Sequence, residues 1–329
     1  MNDPANATPE TEILSRLDLP AMLIDNERVL FANRAARELL GAHINGENVR
    51  LVLRAPNAVS LILSPEGGRT RLSGLTFTGS QFDLTCSRLA NGMRLVTLQD
   101  ISVQITVARA HADFVANASH ELRTPIASIQ GFVETLLEDS AGANPETRKE
   151  FLKTIRGEAQ RMQSLVEDLM SLSRIEAHKH DIPETIVDFV GIVRRESGGT
   201  QFAVTTNAES VSIHGDSSQI AQAVRNVLEN AVKYGTPGAT IEVGIETTAN
   251  GWVCLTVRNQ GETIPPEHLS RLTERFYRAD NKRSRTVGGT GLGLSIVKHI
   301  IERHRGRLDI SSRDGQGTTV SLMLPTSKT

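Results

Sequence analysis

The stretch FVANASHELRTPIASIQGF, residues 114–132, decides how the middle of this chain folds. Its apolar residues Ala118, Leu122, Pro125, Ile129 and Phe132, continued by Leu136, fall at spacings of 4, 3, 4, 3 and 4. At ~100° per residue they gather within about 80° of one another on one side of a helix. His120 points roughly to the opposite side, and Thr124, one turn on, shares its outer face. The spacing predicts an exposed histidine on a helix with a buried seam. Pro125 has no amide to return to the carbonyl of Glu121, so the helix is perturbed just past the histidine. A lone exposed imidazole is usually a solvated surface group. Here a carboxylate, Glu121, stands beside it, and a carboxylate can orient the ring and take its proton as a ring nitrogen attacks.

A second seam follows at Ile155, Met162, Leu165, Leu169 and Leu172. The SAGANP turn at residues 140–145 separates the two. Residues 101–180 therefore read as a hairpin of two long helices. Such a hairpin does not bury its seams alone, and the economical solution is a four-helix bundle made by two chains, so a homodimer is expected. His178 and His180 flank Lys179 after the second helix and read as a solvated linker rather than a metal site.

On the N-terminal side, AMLID (21–25), VLFA (29–32), a helical AARELLG and three alternating runs, TRLSGLTFTG (70–79), FDLTCSRL (82–89) and MRLVTLQD (93–100), predict a small α+β domain over residues 13–100. Its order of strands and helices resembles a PAS sensor domain. No haem-ligation or flavin-reactive cysteine pattern is seen, and Cys86 reads as packing. Residues 1–12 are polar and acidic, unlike a signal peptide, and are expected to be a disordered tail.

Composition excludes several classes. Lys plus Arg is 36 against 38 Asp plus Glu, a net charge of −2, which argues against direct nucleic-acid binding. Two distant cysteines, Cys86 and Cys254, exclude a disulfide scaffold and a cysteine zinc site. No apolar run approaches the ~18 residues of a membrane span. A cytoplasmic chain is expected, or one associated with a membrane through a partner or a missing N-terminal segment.

Residues 184–326 mix strands (240–246, 252–259, 307–312, 318–324) with helices. Asp216 reads as an N-cap with Gln219 at the third helical position. In the helix that follows, NVLENAVKY (226–234), Asn226, Asn230 and Lys233 share one face, while Ile220, Val224, Val227, Leu228 and Ala231 share the other. Amide oxygens suit Mg²⁺, and a lysine suits a phosphate. The glycine turn GGTGLGL (288–294) lets backbone amides approach phosphates ahead of a helix. Residues 271–285 hold six basic side chains against Glu274 and Asp280, which reads as a lid over polyphosphate. Each feature alone also fits an ordinary charged surface.

Together, in this order, SHELRTP (119–125), NVLENAVKY, ERFYRAD (274–280), GGTGLGL and DGQGTTVSLMLP (314–325) resemble the sensor histidine kinases from residue 101 to 325. RLTERFYRAD (271–280), the GGTGLGLSIVKHI helix and VRLVLRAP (49–56) look most like the phosphate-regulon sensor kinases. The resemblance implies a dimeric four-helix bundle and a Bergerat-type α/β sandwich that binds ATP and Mg²⁺. It implies that His120 is the phosphorylated residue, Glu121 its acid/base and Thr124 the residue orienting water in the phosphatase reaction. Asn226, Asn230, Lys233, Tyr234, Asn259, Gly261, Arg278, Gly289, Thr290, Gly291, Leu292 and Gly293 are the implied nucleotide residues, with Asn230 the metal ligand. The implied partner is the receiver domain of a response regulator, expected to dock at residues 131–138 and the facing helix.

The chain departs from the family at residues 259–264, NQGETI, where Asp-x-Gly-x-Gly-Ile is usual. Asn259 offers the adenine amino group a neutral acceptor; a charged hydrogen bond is worth ~1.5–3 kcal/mol and a neutral one ~0.5–1.5. Affinity for ATP is thus expected to fall by about one order of magnitude. Thr263 in place of glycine restricts the loop if that position needs positive φ. The competing readings are a kinase-attenuated or kinase-dead partner acting as phosphatase or scaffold, and another ATPase of the same nucleotide fold; the latter lacks the hairpin that carries His120.

Overall fold

The computed structural model describes residues 9–75, 79–138, 144–178, 181–279 and 289–327, and they form two compact units, residues 1–113 and 114–329. The division falls inside the first long helix. The hairpin and the α/β domain, read from sequence as separate regions, therefore make one unit.

In the first unit, α1 (Pro9–Ser15) is followed by β1 (Ala21–Asp25), β2 (Arg28–Ala32), α2 (Arg34–Leu40), α3 (Val49–Val52), α4 (Pro56–Leu63), β3 (Gly68–Ser73), β4 (Gln81–Arg88) and β5 (Arg94–Asp100). The antiparallel sheet runs β2-β1-β5-β4-β3. Residues 9–12, expected within a disordered tail, open a helix whose Leu14 packs against Ala21 and Leu23. Residues 1–8 lie outside the described residues. The run expected to be strand through residue 79 stops at Ser73. Gly74 takes φ +74, open to glycine without strain, and donates to the Ser80 carbonyl at 2.9 Å, so the chain turns back to β4. Cys86 is buried in β4, and both cysteines are free. Asn33 caps α2, and its amide also donates to the carbonyls of Leu14, Leu17 and Leu19, tying the N-terminal segment to the sheet.

Helix α5 (Ser102–Leu137) and helix α6 (Pro145–Ala177) form the hairpin. Asn144 caps α6, and Pro145 occupies the first turn, where no amide is missed. Most of the turn, residues 139–143, lies outside the described residues, as do Lys179 and His180. The predicted seams turn inward, with Pro125, Leu165 and Leu172 fully buried and the other seam residues partly so. A second apolar stripe stays exposed: Val115, Ile126, Val133 and Leu137 on α5, and Leu152, Val166 and Met170 on α6. On α5 this stripe lies about 75° around the helix from the seam.

The rest of the second unit is β6 (Ile186–Asp188), α7 (Phe189–Glu196), β7 (Phe202–Thr206), β8 (Ser212–His214), α8 (Ser217–Tyr234), β9 (Ile241–Thr248), β10 (Trp252–Asn259), α9 (Pro266–Leu269), α10 (Gly293–Arg303), β11 (Arg307–Arg313) and β12 (Gly317–Pro325). Its main sheet runs β11-β12-β10-β9-β7, antiparallel except for the β7–β9 pair. Helices α7, α8 and α10 bury one face each in a shared core, Val190 and Val193, Ile220 and Val224, Ile296 and Ile300, against Val243, Leu255 and Leu322 of the sheet. Each such side chain contributes ~1.5–3 kcal/mol by leaving water. Asp216 caps α8 by accepting from the Ser218 and Gln219 amides. No described helix is long and apolar enough to cross a membrane.

Candidate active site

Helix α8 ends over the C-terminal end of β10, and the glycine turn at residues 289–291 feeds α10 beside it. The space between holds a cavity of about 470 Å³. Its walls carry the predicted Asn226, Asn230, Lys233, Tyr234, Asn259, Arg278, Gly289, Thr290, Gly291 and Gly293, with apolar Ile264, Leu272, Ile310 and Val320. The buried and open faces of α8 thus divide as its periodicity requires, apolar residues inward and amides plus lysine toward the cavity.

Lys233 lies against Gly289, where any Cβ would collide with its amine. Arg278 donates to the Gly289 carbonyl at 3.4 Å. Burial lowers the pKa of Lys233, and the cations of Arg278 and Arg161 lower it further. That cationic end has a clear use: an anion placed there relieves the repulsion. Gly291, at φ +70, faces the Phe276 backbone 2.8 Å from where a Cβ would stand. Phe276, itself at φ +62, donates its amide to the Gly291 carbonyl at 3.0 Å. The segment holding Arg275 to Arg278 and the glycine turn therefore support each other.

Asn259 is buried and pairs with Thr318 across the sheet. Gly261 passes so close to Tyr234 that a Cβ would sit 2.5 Å from its carbonyl oxygen. Thr263 is not among the residues at positive φ, so the strain expected of this replacement is absent; its hydroxyl donates to Asp314 at 3.2 Å. Leu292, a predicted nucleotide residue, is fully buried in the core with Ile296, and only its amide, donating to Thr290, belongs to the turn. Of the lid read over residues 271–285, residues 271–279 are described and the rest lie outside the described residues.

The two asparagines differ. Asn226 donates to the Gly293 carbonyl at 3.3 Å and fastens the start of α10. Asn230 lines the cavity, and no hydrogen bond of its side-chain amide is seen among the described residues, so its amide oxygen is not spent on another described side chain. That is the donor chemistry Mg²⁺ takes alongside waters and substrate phosphates. Asp168, Glu229, Gln222 and Thr318 also line the cavity, and the sequence motifs assign none of them a role. Glu229 sits within the quoted NVLENAVKY run, but nothing in the sequence linked Asp168 of α6 to this domain.

His120 and Thr124 are exposed on α5, as their position on the helix predicts, and neither they nor Glu121 line the cavity. Thr124 returns its hydroxyl to the His120 carbonyl at 3.3 Å. Glu121 pairs with Arg161 of α6 at 3.0 Å.

Comparison with known proteins agrees with this geometry. Residues 110–178 match the His Kinase A (phospho-acceptor) domain, and residues 215–328 match the histidine kinase-, DNA gyrase B-, and HSP90-like ATPase family. The chain belongs to the sensor histidine kinases, enzymes that phosphorylate a protein histidine. It is PhoR-like: 92% of its length aligns at 34% identity with the phosphate regulon sensor protein PhoR of Pseudomonas aeruginosa, covering 70% of that protein. The sensor protein kinase WalK of Staphylococcus saprophyticus is 35% identical over 70% of this chain and 39% of its own length. The crystal structure of histidine kinase ThkA in complex with response regulator protein TrrA superposes with a TM-score of 0.54 at 21% identity, covering 96% of this chain and 98% of that one, which bears on the fold.

Proposed function

We propose that the cavity binds ATP with Mg²⁺ and that His120 accepts its terminal phosphoryl group. The carrying observation is the convergence of Asn230, Lys233, Asn259, Arg278 and the glycine turn on one cavity, in the same unit as the exposed His120. Asn259 accepts from the adenine amino group, and Lys233 and Arg278 neutralise phosphate charge. Asn230 is the protein ligand for Mg²⁺, which when bound neutralises phosphate charge. A ring nitrogen of His120 forms the new P–N bond as the bond to the ADP oxygen breaks, and Glu121 takes the ring proton. The phosphoryl group then passes to an aspartate of a response regulator; Thr124 orients water when the enzyme removes it.

The exposed stripe of Val115, Ile126, Val133 and Leu137 supports a homodimer, because a second hairpin covers it in a four-helix bundle. The strand order β2-β1-β5-β4-β3 supports a PAS-like reading of residues 13–100. Residues 101–180 are the dimerisation and phosphotransfer hairpin, and 184–326 the catalytic domain. Use of ATP supports a cytoplasmic location. Phosphate-regulon signalling is the pathway class we propose, on the likeness to PhoR. Phosphotransfer from labelled enzyme to candidate receiver domains tests the assignment: a receiver with its acceptor aspartate changed to alanine takes no label.

A further inference from the structure

Asp168 belongs to the hairpin, yet its side chain lines the cavity of the α/β domain. Its Oδ2 accepts the hydroxyl proton of Thr290 at 2.9 Å. The same Thr290 oxygen accepts the Leu292 amide at 3.2 Å. A hydroxyl has one proton to give, and a carboxylate from another element takes it. Thr290 stands between Gly289 and Gly291, beside Lys233 and Arg278. Lys233 and Arg278 mark this end of the cavity for an anion, and the hydroxyl of the glycine turn there is given to a carboxylate. Burial raises the pKa of Asp168, and the nearby Glu229 and Glu167 raise it further, against the lowering effect of Thr290.

The contact also has a definite place along the hairpin. Asp168 lies seven residues past Arg161, the partner of Glu121, or about 10 Å along α6. Phe114, whose ring meets that of Phe276 at 5.8 Å, lies six residues before His120, about 9 Å along α5. Glu176, further along α6, pairs with Arg275. The nucleotide domain is thus held along the hairpin from about two to about four helical turns beyond the level of the histidine, by contacts that include the glycine turn itself.

We propose that Asp168 is a tethered competitor for the phosphates of a nucleoside triphosphate: by holding the Thr290 hydroxyl, it makes docking of the hairpin on the glycine turn and full engagement of the phosphates by that turn mutually exclusive. The proposal rests on reading the cavity as the ATP site. It assigns Asp168 a role in specificity, since a ligand without phosphates does not reach the contested hydroxyl.

The test is equilibrium binding to the full chain of Mg²⁺ with a non-hydrolysable β,γ-imido analogue of ATP, and separately of adenosine. Asp168→Ala should tighten the analogue by about three- to tenfold, the scale of one charge-assisted hydrogen bond released from competition, and leave adenosine within about twofold. Asp168→Asn keeps an acceptor without the charge and should give a smaller gain. On a Thr290→Val background the gain from Asp168→Ala should shrink to less than about twofold, because the two residues act as a pair. Unchanged or weaker analogue binding in Asp168→Ala, or equal tightening of adenosine, overturns the proposal. Failure of wild type and both Asp168 variants to bind the analogue overturns the nucleotide reading as well, and is recognised by the wild type failing too.

Discussion

The guanidinium of Arg161 reaches across the hairpin and donates to Glu121 Oε2 at 3.0 Å, one residue past His120. The pair joins the two helices at the level of the acceptor, and both side chains keep about a third of their exposure. A pair that open to water contributes ~0–1 kcal/mol to stability. Glu121→Gln should therefore barely move the melting temperature. It should lower the autophosphorylation rate about a hundredfold or more, the usual contribution of a positioned base. Nucleotide affinity should stay as in wild type, because Glu121 does not line the cavity. Single-turnover rates at saturating ATP, read beside a thermal melt, check this.

Asn259 is the second point of leverage. It is buried at the end of β10 and offers a neutral acceptor where the family has a charged one. Asn259→Asp should tighten ATP by about tenfold. Calorimetry on the two proteins decides it, and equal dissociation constants would remove the attenuation argument. Thr263 needs no such repair, since it is not at positive φ and its hydroxyl is satisfied by Asp314.

Lys233 and Gly289 form one device. Lys233→Ala should weaken ATP by about tenfold or more while adenosine binding stays unchanged, because the proposed site gives the amine a phosphate partner. Gly289→Ala should weaken ATP as well, since its Cβ would strike the Lys233 amine at φ +148, where L-residues are strained. Competition of ATP and adenosine against a fluorescent nucleotide separates the two effects.

His304 gives the domain a pH dependence. It is buried; its Nε2 accepts the Asp216 amide at 3.0 Å and its Nδ1 bonds the Ile300 carbonyl at 2.7 Å, so the neutral ring is fully satisfied. Burial lowers its pKa in the folded state. The unfolded chain therefore takes up a proton first. The stability His304 confers is present above the ordinary histidine value of about 6.5 and is lost as pH falls below it. Asp216 follows in a lower window. Burial raises its pKa, but bonds from Ser218 and Gln219 outweigh this, so its contribution fades only as carboxylates protonate. Melting temperature should fall between pH 7.5 and 5.5 in wild type and much less in His304→Gln. Equal slopes would contradict this.

Much of the site was legible because it obeys helix period. The outward His120, the divided faces of α8 and the Asp216 cap follow from spacing and capping chemistry alone. The short strands Ile186–Asp188, Phe202–Thr206 and Ser212–His214 leave no signal in the sequence, for runs of three to five residues carry little alternation. Leu292 looked like part of the glycine turn, but a sequence cannot separate an amide that faces a ligand from a side chain that faces the core. The Thr290–Asp168 bond spans 122 residues and joins two regions read as independent, so no local pattern announced it.

The most direct test of the account is autophosphorylation. Purified chain is incubated with Mg²⁺ and γ-labelled ATP beside His120→Gln. The account predicts an acid-labile, alkali-stable label on wild type and none on the variant. Label retained by His120→Gln, or absent from a folded, nucleotide-binding wild type, would contradict it.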